Sequence, residues 1–207
     1  MTEYRADTVP AHPDLGPAAR QVAALLEGVR DDQLTGPTPC AEMSVATLLH
    51  HLMGLTLAFR YAALKEDPAS GGEQVPTGPG QAKAEQLHPE WRERLPRRLD
   101  ALVAAWQDPA AWQGEAEAGG VTMPAQEMGV VALDEILIHG WDLARATGQR
   151  YVGDPVSVAA VFGMLSGMAN EDGVPGMFGP VVPVPEDAPL LDRALGLTGR
   201  DPSWAAA

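Results

Sequence analysis

The sequence is poor in cysteine, lysine and aromatic side chains. Its one cysteine, Cys40, excludes an intramolecular disulfide and a cysteine-based zinc knuckle, and a reducing compartment is the simplest setting for it. Lysine occurs only at Lys65 and Lys83, and the 14 basic residues face 28 acidic ones. The formal charge of -14 and pI near 4.6 argue against nucleic acid as a partner, because a phosphate backbone is bound by clustered cations that displace its counterions. No apolar run reaches the roughly 18 residues a membrane-spanning helix needs. The stretch from Met1 to Gly16 has charged residues and prolines where a secretory leader would have an apolar segment. The expectation is a cytoplasmic protein with no membrane partner, a monomer or a homodimer.

At 207 residues and 45% hydrophobic content, the chain can bury one sizeable core, so one main domain over 1–207 is expected. Proline and glycine, 19 and 22 residues, punctuate it. From Asp14 to Arg30, Leu15, Val22, Leu25, Leu26 and Val29 recur at helical spacing. Ser44 is placed to cap a second helix running to Leu64. Asp67 to Gly80 is too rich in proline and glycine for a regular element and reads as a long loop. A third helix fits Glu90 to Trp106, kinked or split at Pro96, and Gln107 to Pro124 reads as a connection. Ala125 to Thr147 carries the strongest helical pattern, closed by Gly148, and Pro155 to Asn170 opens with proline at its first turn. Beyond it, 173–207 reads as a proline-rich extension packed over the bundle, with a short helix near Leu190 to Leu197.

The chemistry concentrates in Ala125 to Thr147. At 100° per residue, Glu135 and His139 lie about 40° apart, and Asp142 about 20° to the other side of Glu135. The other faces carry Leu133, Ile136, Leu137, Ile138, Trp141 and Leu143, so this helix is apolar nearly all round and suited to burial. A carboxylate and an imidazole buried there need compensation, which a bound cation supplies. In the second helix the stripe Val45, Leu48, Leu49, Leu52, Leu55, Thr56 and Phe59 places His51 roughly 80° from its centre and His50 on the far side. His51 can therefore face inward, and His50 is expected in solvent. His51, Glu135 and His139 would make a three-ligand set with an open position, the arrangement of catalytic zinc. The plain alternatives are a surface Glu-His pair and a hydrogen-bonded core histidine.

Thr38-Pro-Cys-Ala41, Leu48-Leu-His-His-Leu-Met-Gly54 and Glu135-xxx-His139-Gly-Trp-Asp-Leu-Ala144 resemble the mycothiol-dependent maleylpyruvate isomerase group of the DinB-like superfamily. The closing Phe178 to Pro185 and Asp192 to Pro202 are similar to the tail of an actinobacterial metal-binding branch. The resemblance spans nearly the whole chain. It implies an all-α fold, a DinB-like four-helix bundle with an additional helix and a proline-rich C-terminal extension. It also implies a divalent metal, usually zinc, held by two histidines and an acidic or third histidine residue. The family's first histidine, in Leu-Leu-x-His-Leu, maps onto His51, and the other two ligands onto Glu135 and His139. Characterised relatives use mycothiol, a low-molecular-weight thiol. The separate C-terminal domain of the isomerases has no evident counterpart after the fifth helix.

The donor set suits zinc, nickel, iron or manganese. An open metal site can hold a thiol sulfur as its thiolate, the nucleophilic form. The expected function is thus a metal-dependent thiol transferase, isomerase or lyase acting on a small electrophile. A hydrolase using activated water and a non-catalytic metal- or ligand-binding protein are the alternatives. Asp142 is either the acceptor that orients a ligand histidine or the partner of Arg145. Cys40, ahead of a helix, is a turn residue or a thiol of lowered pKa. Arg60, Arg145 and Arg150 either receive an anionic substrate or serve as solubilising surface. Trp141 reads as core, and His12 and His88 carry no assignment.

Overall fold

The computed structural model describes residues 12–41, 43–67 and 83–206. Most of the expected 67–80 loop lies outside the described residues. Among those described, six α-helices and one two-stranded hairpin are present: α1 (Gly16–Glu27), α2 (Val45–Leu64), α3 (Trp91–Trp106), β1 (Glu115–Ala118), β2 (Val121–Pro124), α4 (Ala125–Thr147), α5 (Pro155–Met168) and α6 (Leu190–Leu197). Helices α1 and α2 each pack against both α3 and α4, which closes a four-helix bundle with α1 and α2 on one diagonal. Helix α5 leans on α4 from outside, and α6 packs on α5. The fold is all-α in class.

Local chemistry explains where the helices begin and end. The Ser44 hydroxyl accepts a hydrogen bond from the Thr47 amide at 3.2 Å and so satisfies one of the orphan donors at the start of α2. Asp154 does the same for α5 through the Ser157 amide, with Pro155 at the first position. Gly148, at φ 71°, ends α4 in the left-handed conformation, and the Gln149 amide closes back on Ala144 O at 2.8 Å. The predicted stripe of α2 is buried throughout, from Val45 to Phe59.

Two expectations about the middle of the chain are corrected. Pro96 does not split α3, which runs unbroken from Trp91 to Trp106. Trp91, Leu95, Leu99, Leu102 and Trp106 are all buried, and their shared packing face holds the helix across the hydrogen bond that proline cannot donate. The stretch 107–124 is not a plain connection. After a short 3-10 turn it forms the antiparallel hairpin of β1 and β2, with Ala118 paired to Val121. Gly119 and Gly120 both take positive φ, 60° and 82°, as a two-residue turn between twisted strands requires. The hairpin delivers the chain into α4, whose first amide, on Ala125, donates to Gly114 O at 2.9 Å.

Candidate metal centre

His51 on α2 and His139 on α4 face each other across the bundle. Their rings meet edge to face with centroids 4.9 Å apart. Glu135, one turn before His139, stands between them. Its Oε2 lies 3.4 Å from His51 Nε2 and 3.2 Å from His139 Nε2. The three donor atoms lie within 4.8 Å of one another. A charged N–H···O hydrogen bond closes to about 2.7–2.9 Å, so both contacts are loose as hydrogen bonds. Two ligands at about 2.0–2.1 Å from a tetrahedral zinc ion stand about 3.3 Å apart. The separations and the nitrogen-oxygen donor set therefore fit a divalent ion.

The backbone around His139 is tightly held. A Cβ added at Gly140 would stand 2.9 Å from Val22 Cγ2 and 3.0 Å from Tyr151 Cε2, so only glycine lets α1 and Tyr151 approach this turn of α4. The Tyr151 hydroxyl donates to Leu137 O at 2.9 Å. The His139 ring itself is anchored on its far side, where Nδ1 lies 2.9 Å from Asp142 Oδ2. An ionised carboxylate only accepts, so Nδ1 carries a proton toward Asp142, and Nε2 is the nitrogen that faces Glu135 and His51. The His139 side chain is 9% exposed, against 25% for His51 and 30% for Glu135. The exposed part of the cluster is its His51–Glu135 side.

The cluster is strongly polarised. Burial alone would push His139 down, but hydrogen bonds to the carboxylates of Asp142 and Glu135 outweigh it and raise the imidazole to about 9. Burial would raise Glu135, yet the two imidazoles hold its carboxyl well below the usual range. Asp134, which precedes it, is buried, and Oδ1 has no hydrogen-bond partner in the structure. Burial, reinforced by the Glu135 charge, lifts that carboxyl to about 7.

Asp142 does not pair with Arg145. Its partner is Arg200, 58 residues on in the chain, whose Nη2 donates to Oδ2 at 2.9 Å and whose Nε donates to Oδ1 at 3.2 Å. Arg145 instead donates through Nε and Nη2 to Trp204 O. Arg200 is the residue that sequence reasoning missed, since no local spacing links it to α4. Cys40 also lies close, with Sγ within 4.8 Å of donor atoms of both His139 and Asp142. Burial pushes its thiol up to about 11, the opposite of the helix-dipole expectation; Cys40 stands five residues before α2 begins. A second ligand set of Cys40, His139 and Asp142 is disfavoured, because Arg200 and His139 already occupy both Asp142 oxygens.

The remaining candidates lie elsewhere. His50 sits at the bundle edge rather than fully in solvent, and its Nδ1 accepts from the Lys83 amide at 3.0 Å. Arg150 is exposed, Arg60 is half-buried beside the Tyr61 ring, and Trp141 is core. His12 stacks on Trp112 at 4.4 Å, and His88 accepts from the Glu90 amide.

A four-helix bundle with two histidines and a glutamate clustered between facing helices defines a helical-bundle protein with a candidate metal centre in its core. Residues 15–144 match the family described as mycothiol maleylpyruvate isomerase N-terminal domain, and the chain belongs to that family. Among curated relatives, an uncharacterized protein found in two strains of Mycobacterium tuberculosis is 33% identical over 193 residues, covering 86% of this chain and 91% of its own length. Among solved structures, a mycothiol-dependent maleylpyruvate isomerase superposes with a TM-score of 0.62 at 17% identity, over 91% of this chain and 88% of its own. A histidine-to-alanine mutant of a mycothiol-dependent maleylpyruvate isomerase gives 0.54 at 19% identity, over 73% and 66%. At these identities the two structures establish the shared fold. No described helix is long and apolar enough to cross a membrane.

Proposed function

We propose that this protein is a metal-dependent enzyme that uses a low-molecular-weight thiol, mycothiol by its family, to transfer to, isomerise or cleave a small electrophilic molecule in the cytoplasm. The observation that carries the reading is the convergence of His51 Nε2, Glu135 Oε2 and His139 Nε2 at separations that suit one ion, on the solvent-reached side of the bundle. In this reading the chain is a single domain, with 173–207 as part of the same body.

His51, Glu135 and His139 would hold the ion, zinc being the metal best suited to this donor set. When bound, such an ion lowers the pKa of a thiol brought to it, so that thiolate is present near neutral pH. The residues of the chain do the rest. Asp142 keeps His139 in the tautomer that presents Nε2, and Glu135 contributes the negative charge that balances a cation in a largely apolar bundle. Thiol and substrate would approach from the part-exposed edges of His51 and Glu135. The thiolate adds to the electron-poor carbon of a conjugated alkene, forming a carbon–sulfur bond as the carbon–carbon π bond breaks and its electron pair passes to the conjugated carbonyl as an enolate. Protonation of the enolate by solvent gives a stable adduct, which is transfer; rotation about the bond that is now single, then return of the electron pair with loss of the thiolate, is isomerisation.

The test is to compare metal-loaded and ion-free protein. The loaded form is expected to bind millimolar mycothiol, or a simpler cysteinyl thiol, and to accelerate its addition to an activated alkene or the isomerisation of a cis-alkenoic acid. Equal thiol affinity in both forms by titration calorimetry, or no binding at millimolar thiol, refutes the thiol reading.

A further inference from the structure

Arg200 and Asp142 are a buried ion pair between the C-terminal segment and α4. Asp142 is fully buried, and Arg200 is 7% exposed. The guanidinium is itself held in place, with Nη1 donating to Thr198 O at 3.2 Å and the Arg200 amide donating to Leu195 O at 3.0 Å. Taking both charges out of water is costly, and well-packed apolar residues often serve stability as well or better. Fastening the tail does not require the pair, since Arg145 grips Trp204 O from the same helix without any buried carboxylate. What distinguishes Arg200 is where its hold ends. It donates to both oxygens of the carboxylate whose Oδ2 meets His139 Nδ1.

We infer that Arg200 is a positioning residue for the metal centre: its forked grip on Asp142 fixes the carboxylate that sets the ring orientation and tautomer of His139, so that docking of the C-terminal segment completes the site. The inference rests on the metal reading above. An arginine offers donors only, so with Arg200 in place both Asp142 oxygens act as acceptors. The imidazole must then meet Asp142 with an N–H, which makes Nε2 the nitrogen that ligates once its proton leaves. Without the fork, the carboxylate can turn about its side-chain bonds, and the His139 ring loses the anchor opposite its ligating nitrogen. Outer-sphere partners of ligand histidines typically tune metal affinity by about 10–100-fold.

The experiment measures zinc affinity of the purified full chain by competition with a chromophoric chelator, with the cobalt-substituted visible spectrum as a second readout. Folding is checked by circular dichroism. Arg200→Met is expected to weaken zinc binding roughly tenfold or more and to alter the cobalt spectrum. Asp142→Asn should weaken it at least as much. The double variant should be no worse than Asp142→Asn alone, because Arg200 acts through Asp142. Arg145→Met removes the other clasp on the tail and should leave affinity within about twofold, since it has no path to His139. Arg200→Lys keeps the charge but not the fork, and serves if the methionine variant does not fold. It should also weaken binding and shift the spectrum. Wild-type affinity and spectrum in a folded Arg200→Met or Arg200→Lys variant would overturn the inference while leaving the metal reading intact. Equal losses in the Arg145 and Arg200 variants would show that the tail acts only as packing, and would overturn it too. If the unaltered protein binds neither zinc nor cobalt, the metal reading itself has failed and takes the inference with it.

Discussion

Raising the pH from 7 to 9 should tighten metal binding by about a hundredfold. In the ion-free protein, His139 lies buried between Asp142 at 2.9 Å and Glu135 at 3.2 Å, and the two carboxylates hold it protonated up to about 9. An imidazolium has no lone pair for an ion. Binding at pH 7 must therefore expel a proton that the two carboxylates hold on the ring, a cost on the order of a few kcal/mol. Above pH 9 the cost vanishes. Chelator competition at fixed ionic strength, corrected for the chelator's own protonation, should give an apparent affinity that rises about tenfold per pH unit and then levels. Calorimetry in two buffers of different ionisation enthalpy should count close to one proton released per ion at pH 7. The ion-free protein should show the reverse trend. The folded-state pKa of His139 is raised above its unfolded value near 6.5, so its contribution to stability is complete below about 6.5 and fades as pH rises through 9. An affinity flat between pH 7 and 9 with no proton release would refute the reasoning, because the ion would then meet a histidine already neutral.

Three further outcomes are expected. His51→Ala, Glu135→Ala and His139→Ala should each lose the ion by elemental analysis, whereas His50→Ala, at the bundle edge, should retain it; full occupancy in the first three variants would exclude this ligand set. Gly129→Ala should destabilise the fold by about 1–3 kcal/mol in denaturant titration despite alanine's better helix propensity, since a Cβ there would stand 2.3 Å from Trp112 Cζ3 and 2.9 Å from Trp106 Cζ3. Deleting the chain from Pro175 should lower stability by at least the roughly 3–5 kcal/mol associated with stranding a buried charge, because Asp142 loses Arg200; an equally stable, monodisperse truncation would show that the segment carries no weight.

Much of this protein is written in local sequence. Ser44, Asp154, Pro155 and Gly148 mark helix ends because caps and stops act within one turn of the backbone, and the α2 stripe separates His51 from His50 because the helical repeat is fixed by hydrogen-bond geometry. Glu135, His139 and Asp142 share a face for the same reason. Other features belong to tertiary packing. Pro96 stays inside α3 because five buried side chains on one face outweigh a missing bond. The alternation of glutamate and alanine in β1 is too mild a signal for a strand, and it is the hairpin's pairing across Gly119 and Gly120 that forms one. The choice between Arg145 and Arg200 as the partner of Asp142 could not be made from spacing. Three residues along a helix favours Arg145, but Trp204 O claims that side chain, and a guanidinium 58 residues away completes the charge balance. Periodicity places residues on the face of one element, whereas which charges meet across elements depends on how the whole chain is packed.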